Sequence, residues 1–115
     1  MTEREGIAVS TIQYHKLVRD HIPEIIESSG KRCVCSTLSD EEYLANLDEK
    51  LNEELVEYQE SKSMEELADL LEVIRAVAVA RGSSIEEVEA IRQAKASKRG
   101  GFEKKILLTE VTTDD

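Results

Sequence analysis

Glu54 with Glu57 and Glu66 with Asp69 form two acidic pairs of identical i, i+3 spacing. On helices, each pair projects from adjacent turns of one face. If the chain folds back about Lys62, Glu57 and Glu66 lie five and four residues from the tip, and Glu54 and Asp69 eight and seven. All four carboxylates then reach similar heights on facing helices. Packed in an apolar groove they repel, and each loses hydration at a cost of several kcal/mol unless it is protonated or paired. All-oxygen, carboxylate-rich coordination suits a hard cation such as Mg²⁺, with Mn²⁺ as a substitute. A di-iron bundle site needs Glu-x-x-His motifs, and the two histidines, His15 and His21, lack that spacing; zinc is disfavoured for the same reason.

These acids can meet only if the intervening chain is a helical hairpin, and local signals predict one. Ser39 with Glu42 is a capping box opening a long helix to about Glu60, and Ser61-Lys62-Ser63 is the turn. Ser63 with Glu66 opens a second helix to about Arg81, with Gly82 as its stop. Ser84 with Glu87 opens a third, to about Lys98, before Arg99-Gly100-Gly101 breaks the pattern. Upstream, Pro23 suits the first turn of a short helix carrying Ile22, Ile25 and Ile26, and Gly30 follows as a stop. Residues 31–38 and the apolar tail 102–111 read as extended, and residues 1–13, with a weak alternation in Ile7, Val9 and Ile12, as a flexible arm. The expected fold is all-α: residues 14–111 form one domain, a short helix followed by three antiparallel helices.

Helical angles aim the acids inward. Leu44, Leu47, Leu51, Leu55 and Tyr58 form one stripe, and Glu54 falls inside it, with Glu57 at its border and Glu53 just beyond. Leu67, Leu70, Ile74 and Val77 form the inward face of the next helix; Glu66 points into that sector and Asp69 sits beside Ala76 and Ala80. Glu60, Glu65 and Glu72 fail these tests and read as surface. Two blander readings stand beside this one: an acidic helix face in a chain with 25 Asp and Glu is commonly solvated, and a capping box already explains a Glu at position 66. The combination of inward angle, repeated spacing and matched register favours the cation site.

Composition bounds the alternatives. A chain of 115 residues with four aromatics must build its core from Leu, Ile, Val and Ala, which favours helix packing. A formal charge of −10 argues against nucleic-acid polymers and anionic membranes as partners. No long uncharged apolar run occurs, and the opening MTEREGIAV lacks the basic-then-apolar order of a signal peptide, so a cytoplasmic location is expected. Cys33 and Cys35, one residue apart, have neither a disulfide framework nor CxxC spacing, and they read with the histidines as structural. A small helical chain buries little apolar area alone, and residues 73–80 are apolar nearly all round, so a homodimer or homotetramer is expected in which facing hairpins complete a four-helix bundle.

EELVE at 53–57 followed by ELAD at 66–69 resembles the EExxE…ExxD signature of the MazG-like, all-α nucleoside triphosphate pyrophosphohydrolases and of their relatives, the phosphoribosyl-ATP pyrophosphohydrolases. YHKLVRDHIPEII at 14–26 and KRGGFEKKILL at 98–108 are similar to the opening and close of a MazG-like branch, so the resemblance covers most of residues 14–108. It implies Mg²⁺-dependent hydrolysis of a nucleotide to its monophosphate and pyrophosphate, with Glu54, Glu57, Glu66 and Asp69 as metal ligands. Glu53 matches the first acid of the motif and would orient or deprotonate the attacking water. The gap between the acid pairs is short for the family. Phosphates left uncovered by metal should meet Lys or Arg, and the candidates are Lys16, Arg19, Lys98 and Arg99, with Gly100 and Gly101 permitting close backbone approach. Two other classes remain open: a noncatalytic helical interaction module, and a nucleotide or metal sensor that keeps the ligands without turnover.

Overall fold

The computed structural model describes residues 10–114 and contains four helices and no strand among them. They are α1 (Ile22–Ser28), α2 (Asp40–Ser61), α3 (Met64–Ala80) and α4 (Ile85–Arg99). Each long helix starts where its cap was read. The Ser39 side chain accepts from the Glu42 amide while Glu42 returns a bond to the Ser39 amide, closing a full capping box. Ser63 and Ser84 accept from the Glu66 and Glu87 amides. At α1, Pro23 fills the first turn, and Gly30 follows with φ +89. The expectations for residues 1–9 of the arm, Ile7 and Val9 included, fall outside the described residues; residues 10–13 are exposed and without regular structure.

The α2–α3 turn sets the register of the hairpin. Lys62 ends α2 in the left-handed region at φ 59, its amide bonded to the Tyr58 carbonyl at 2.7 Å and its ammonium 5.7 Å from the Tyr58 ring centroid. That cation–π contact helps offset the cost of a left-handed non-glycine residue. Only Lys62 and Ser63 separate the helices, so residues equally distant from the turn face one another along the hairpin. α3 packs on both α2 and α4. Gly82, at φ +87, reverses the chain between α3 and α4.

Among the described residues, Leu47, Glu54, Val73 and Ala78 are buried, Leu47 at 3% exposure and Glu54 at 6%. The α3 seam is rotated from the expected stripe: Val73, seven residues after Glu66, is buried, whereas Leu67 is exposed and Ile74 half-buried. Packing therefore centres α3 nearer Glu66 and Asp69 than its bulkiest side chains alone indicate. The expected extended tail has no strand; a turn at 102–105 interrupts it, and residues 100–114 are exposed throughout.

The chain alone stays open. Its radius of gyration is 21.5 Å, against about 13 Å for a compact domain of this length. Its accessible surface is 10562 Å², against about 6,300 Å² for a folded monomer of this mass. Leu55, Leu71 and Val79 of the hairpin and Phe102, Ile106, Leu107 and Leu108 of the tail lie uncovered, and Leu51, Leu55, Leu70 and Ile74 line an open groove rimmed by Asp48 and Asn52. Among the described residues, no helix is long and apolar enough to cross a membrane.

Candidate metal centre

Near the turn, the hairpin seam changes from aliphatic to acidic. Leu47 and Glu54 are seven residues apart on α2, and Glu66 and Val73 seven apart on α3, so each carboxylate takes a place that two turns farther along belongs to an aliphatic side chain. Glu54, Glu66 and Asp69 each present an oxygen, and these oxygens lie within 4.8 Å of one another. Glu57 stands outside that trio but beside two of its members, close enough to act electrostatically on both Glu54 and Glu66.

Two oxygens in this cluster are orphaned. Glu54 Oε2 and Glu66 Oε2 are buried without a hydrogen-bond partner. Burial pushes the Glu54 carboxyl above the ordinary range, Glu57 pushes it further, and the opposing pull of Lys50 does not cancel them. The Glu66 carboxyl is also raised, by loss of hydration first and then by Glu57 and Asp69. Its expected capping role is half filled: the Ser63 amide donates to Ser61 Oγ, and no bond joins it to the Glu66 side chain. Glu66 thus caps through its backbone while its carboxylate faces the other acids.

Three cations border the cluster. Lys50 Nζ, on the turn of α2 preceding the acids, lies 3.2 Å from Glu53 Oε1 and 3.5 Å from Glu54 Oε1, with its side chain only 17% exposed. From the N-terminal segment, Lys16 donates to Glu53 Oε1 at 2.9 Å and Arg19 to Asp69 Oδ1 at 2.8 Å. The hydrogen bond from Lys16, with Lys50 assisting, holds the Glu53 carboxyl below its usual range, and the Lys16 ammonium is raised in turn. Fully ionised, five carboxylates against these three cations leave two net negative charges, which one divalent cation would neutralise.

The predicted site residues therefore divide. Glu54, Glu66 and Asp69 converge, with Glu57 adjacent and Glu53 held at the edge by two lysines. Lys16 and Arg19 reach the site and are paired there with its acids. Lys98 and Arg99 occupy the exposed last turn of α4, and no ion pair joins them to the cluster among the described residues. Glu60, Glu65 and Glu72 are exposed, as their angles indicate. Lys50 was not foreseen, although its spacing carries the signal: a lysine at i−3 and i−4 from two consecutive glutamates lies on their face. Cys33 and Cys35 are free thiols; Cys35 donates to the Cys33 sulfur at 4.0 Å, and Cys33 donates to the Pro23 carbonyl.

Comparison with known proteins adds a short local match. No protein-family model matches the chain, and no solved structure matches it. An uncharacterized protein of Mycolicibacterium smegmatis (strain ATCC 700084 / mc(2)155) is 60% identical over 42 residues, which are 36% of this chain and 43% of that protein. The match spans less than half of either chain.

Proposed function

We propose that this chain is a divalent-cation-dependent nucleotide pyrophosphohydrolase of the MazG-like kind, cleaving a nucleoside triphosphate or phosphoribosyl-ATP to the monophosphate and pyrophosphate. The observation that carries the reading is Glu54: a residue only 6% exposed, it keeps an unpartnered carboxylate oxygen beside Glu66 and Asp69 on a seam otherwise aliphatic. Orphaned oxygens there fit a hard cation, which would replace the lost hydration that raises Glu54 and Glu66. Glu54, Glu66 and Asp69 would hold it, with Glu57 beside them. Bound Mg²⁺, or Mn²⁺ in its place, supplies neutralisation of phosphoryl oxygens and activation of water.

The surrounding side chains have separable tasks. Glu53, its basicity reduced by Lys16 and Lys50, suits orienting a water by accepting its hydrogen better than removing a proton. Lys50 remains within the helix as a fixed counter-charge. Lys16 and Arg19 are near enough to serve the phosphates once released from their acids, while Lys98 and Arg99, before the glycine pair, would serve from another part of the assembly. The uncovered apolar side chains of the hairpin, Leu55, Leu71 and Val79, support a homodimer or homotetramer, because a helical chain this small leaves them in water unless a second copy packs on them. Helices facing across such an interface would complete a bundle around the hairpin. A nucleotide of the cytoplasm is the substrate class, with no nucleic-acid polymer and no membrane as partner.

The test is pyrophosphate release across a panel of ribonucleoside and deoxyribonucleoside triphosphates and phosphoribosyl-ATP, with Mg²⁺ and with chelator. Release that requires Mg²⁺ supports the enzyme; nucleotide binding without release supports a sensor; neither, for any nucleotide, leaves an interaction module. Sedimentation at micromolar concentration should give a dimer or tetramer, and a stable monomer would contradict the assembly.

A further inference from the structure

Arg19 is paired with Asp69, a carboxylate that also belongs to the converging trio. The N-terminal segment has no helix or strand at residues 10–19, and its Lys16 and Arg19 ion pairs tie it to α2 and α3. The two ties differ. Lys16 holds Glu53, which lies outside the converging trio, whereas Arg19 holds Asp69, one of its three members. The Arg19–Asp69 pair is open to water, with side chains 57% and 42% exposed, so its net strength is small. A divalent cation seated between Glu54, Glu66 and Asp69 brings twice the charge of a guanidinium to the same carboxylate.

The geometry points to Arg19 as an exchange residue: it occupies Asp69 while the site is empty of cation, is displaced when a divalent cation binds, and then presents its guanidinium to the anionic ligand. This rests on the cation site proposed above and adds an order of events, cation first and phosphate second. It also gives the N-terminal segment a task, that of preventing Arg19 from offering its charge to phosphate before the cation is in place. The planar guanidinium suits both partners, since it can bridge a carboxylate or a phosphate through paired N–H donors.

Two measurements on the whole chain test the exchange with Mn²⁺ alone. Calorimetric titration should show Mn²⁺ binding about two- to fivefold tighter to Arg19→Gln than to wild type, the range a lost competing surface ion pair allows, and near wild-type affinity for Arg19→Lys. Limited trypsin cleavage after Arg19 requires its side chain to leave Asp69, so saturating Mn²⁺ should accelerate that cut severalfold and the cut after Lys16 less. Asp69→Asn should speed the Arg19 cut without metal. If wild type binds Mn²⁺ but Arg19→Gln binds it equally or more weakly and the cleavage rate is unmoved, the exchange is overturned while the cation site stands. If wild type binds no Mn²⁺, both fall together.

Discussion

The half of the α2–α3 seam far from the turn and the half near it use the same helical positions for opposite chemistry. Leu47 and Val73 fill the far half, where burial of aliphatic surface stabilises the hairpin. In the near half, the positions seven residues away hold Glu54 and Glu66, with Asp69 and Glu57 alongside. A stability-driven sequence would continue the aliphatic stripe, because a buried carboxylate with an orphaned oxygen costs free energy. The far half holds the helices together, and the near half uses the resulting rigidity to keep like charges in company. Lys50, Lys16 and Arg19 offset part of that repulsion.

Substitutions can separate the halves. Leu47→Ala should lower unfolding stability by about 2–4 kcal/mol in chemical denaturation, the range for a truncated core leucine, and should reduce turnover only through loss of folded protein. Glu54→Gln should do the reverse: the proposed Mg²⁺-dependent pyrophosphate release should fall about 100-fold or more, while the metal-free protein is stabilised as a buried charge disappears. A Glu54→Gln protein as unstable as Leu47→Ala would show the halves to be one structural core. Asp69→Asn should cost about 10- to 100-fold in turnover, with circular dichroism unchanged.

A smaller effect follows from pH. Because burial raises Glu54 and Glu66 above their unfolded values, their protonation favours the fold. That contribution is fully present below the ordinary carboxylate range and is lost as pH rises through the raised values. Metal-free protein should therefore show a higher denaturant midpoint at pH 5 than at pH 7, with the gain reduced in Glu54→Gln. Glu53, held low by Lys16, runs the other way: its contribution is present above the ordinary range and is lost as pH falls through its depressed value, outside that window. Smallest of all, Arg92→Ala removes an exposed two-pronged pair with Glu89 on α4 and should leave stability and turnover unchanged within error.

Local chemistry made the helices legible. The serine caps, Lys62 turn and Gly82 stop are short-range signals, and each begins or ends a helix where it stands. The acid convergence was legible because the two-residue turn converts sequence distance from Lys62 into height along the hairpin. Other features depend on long-range packing. The rotation of α3 towards Glu66 and Val73 is set by its packing on α2 and α4, and its own hydrophobic stripe does not encode it. The pairing of Lys16 with Glu53 and Arg19 with Asp69 joins residues 37 and 50 positions apart, beyond any periodicity. Lys50 was readable from helical spacing, yet a lysine in a charged helix passes for solvated surface until its burial is seen.

Mn²⁺ titration of the metal-free protein, wild type beside Glu54→Gln, addresses the near half of the hairpin most directly. Saturable binding in wild type that weakens at least tenfold in a folded Glu54→Gln variant is the expected result. Equal affinity in both, or no saturable binding in wild type at millimolar Mn²⁺, would mean that the four acids are not a cation site.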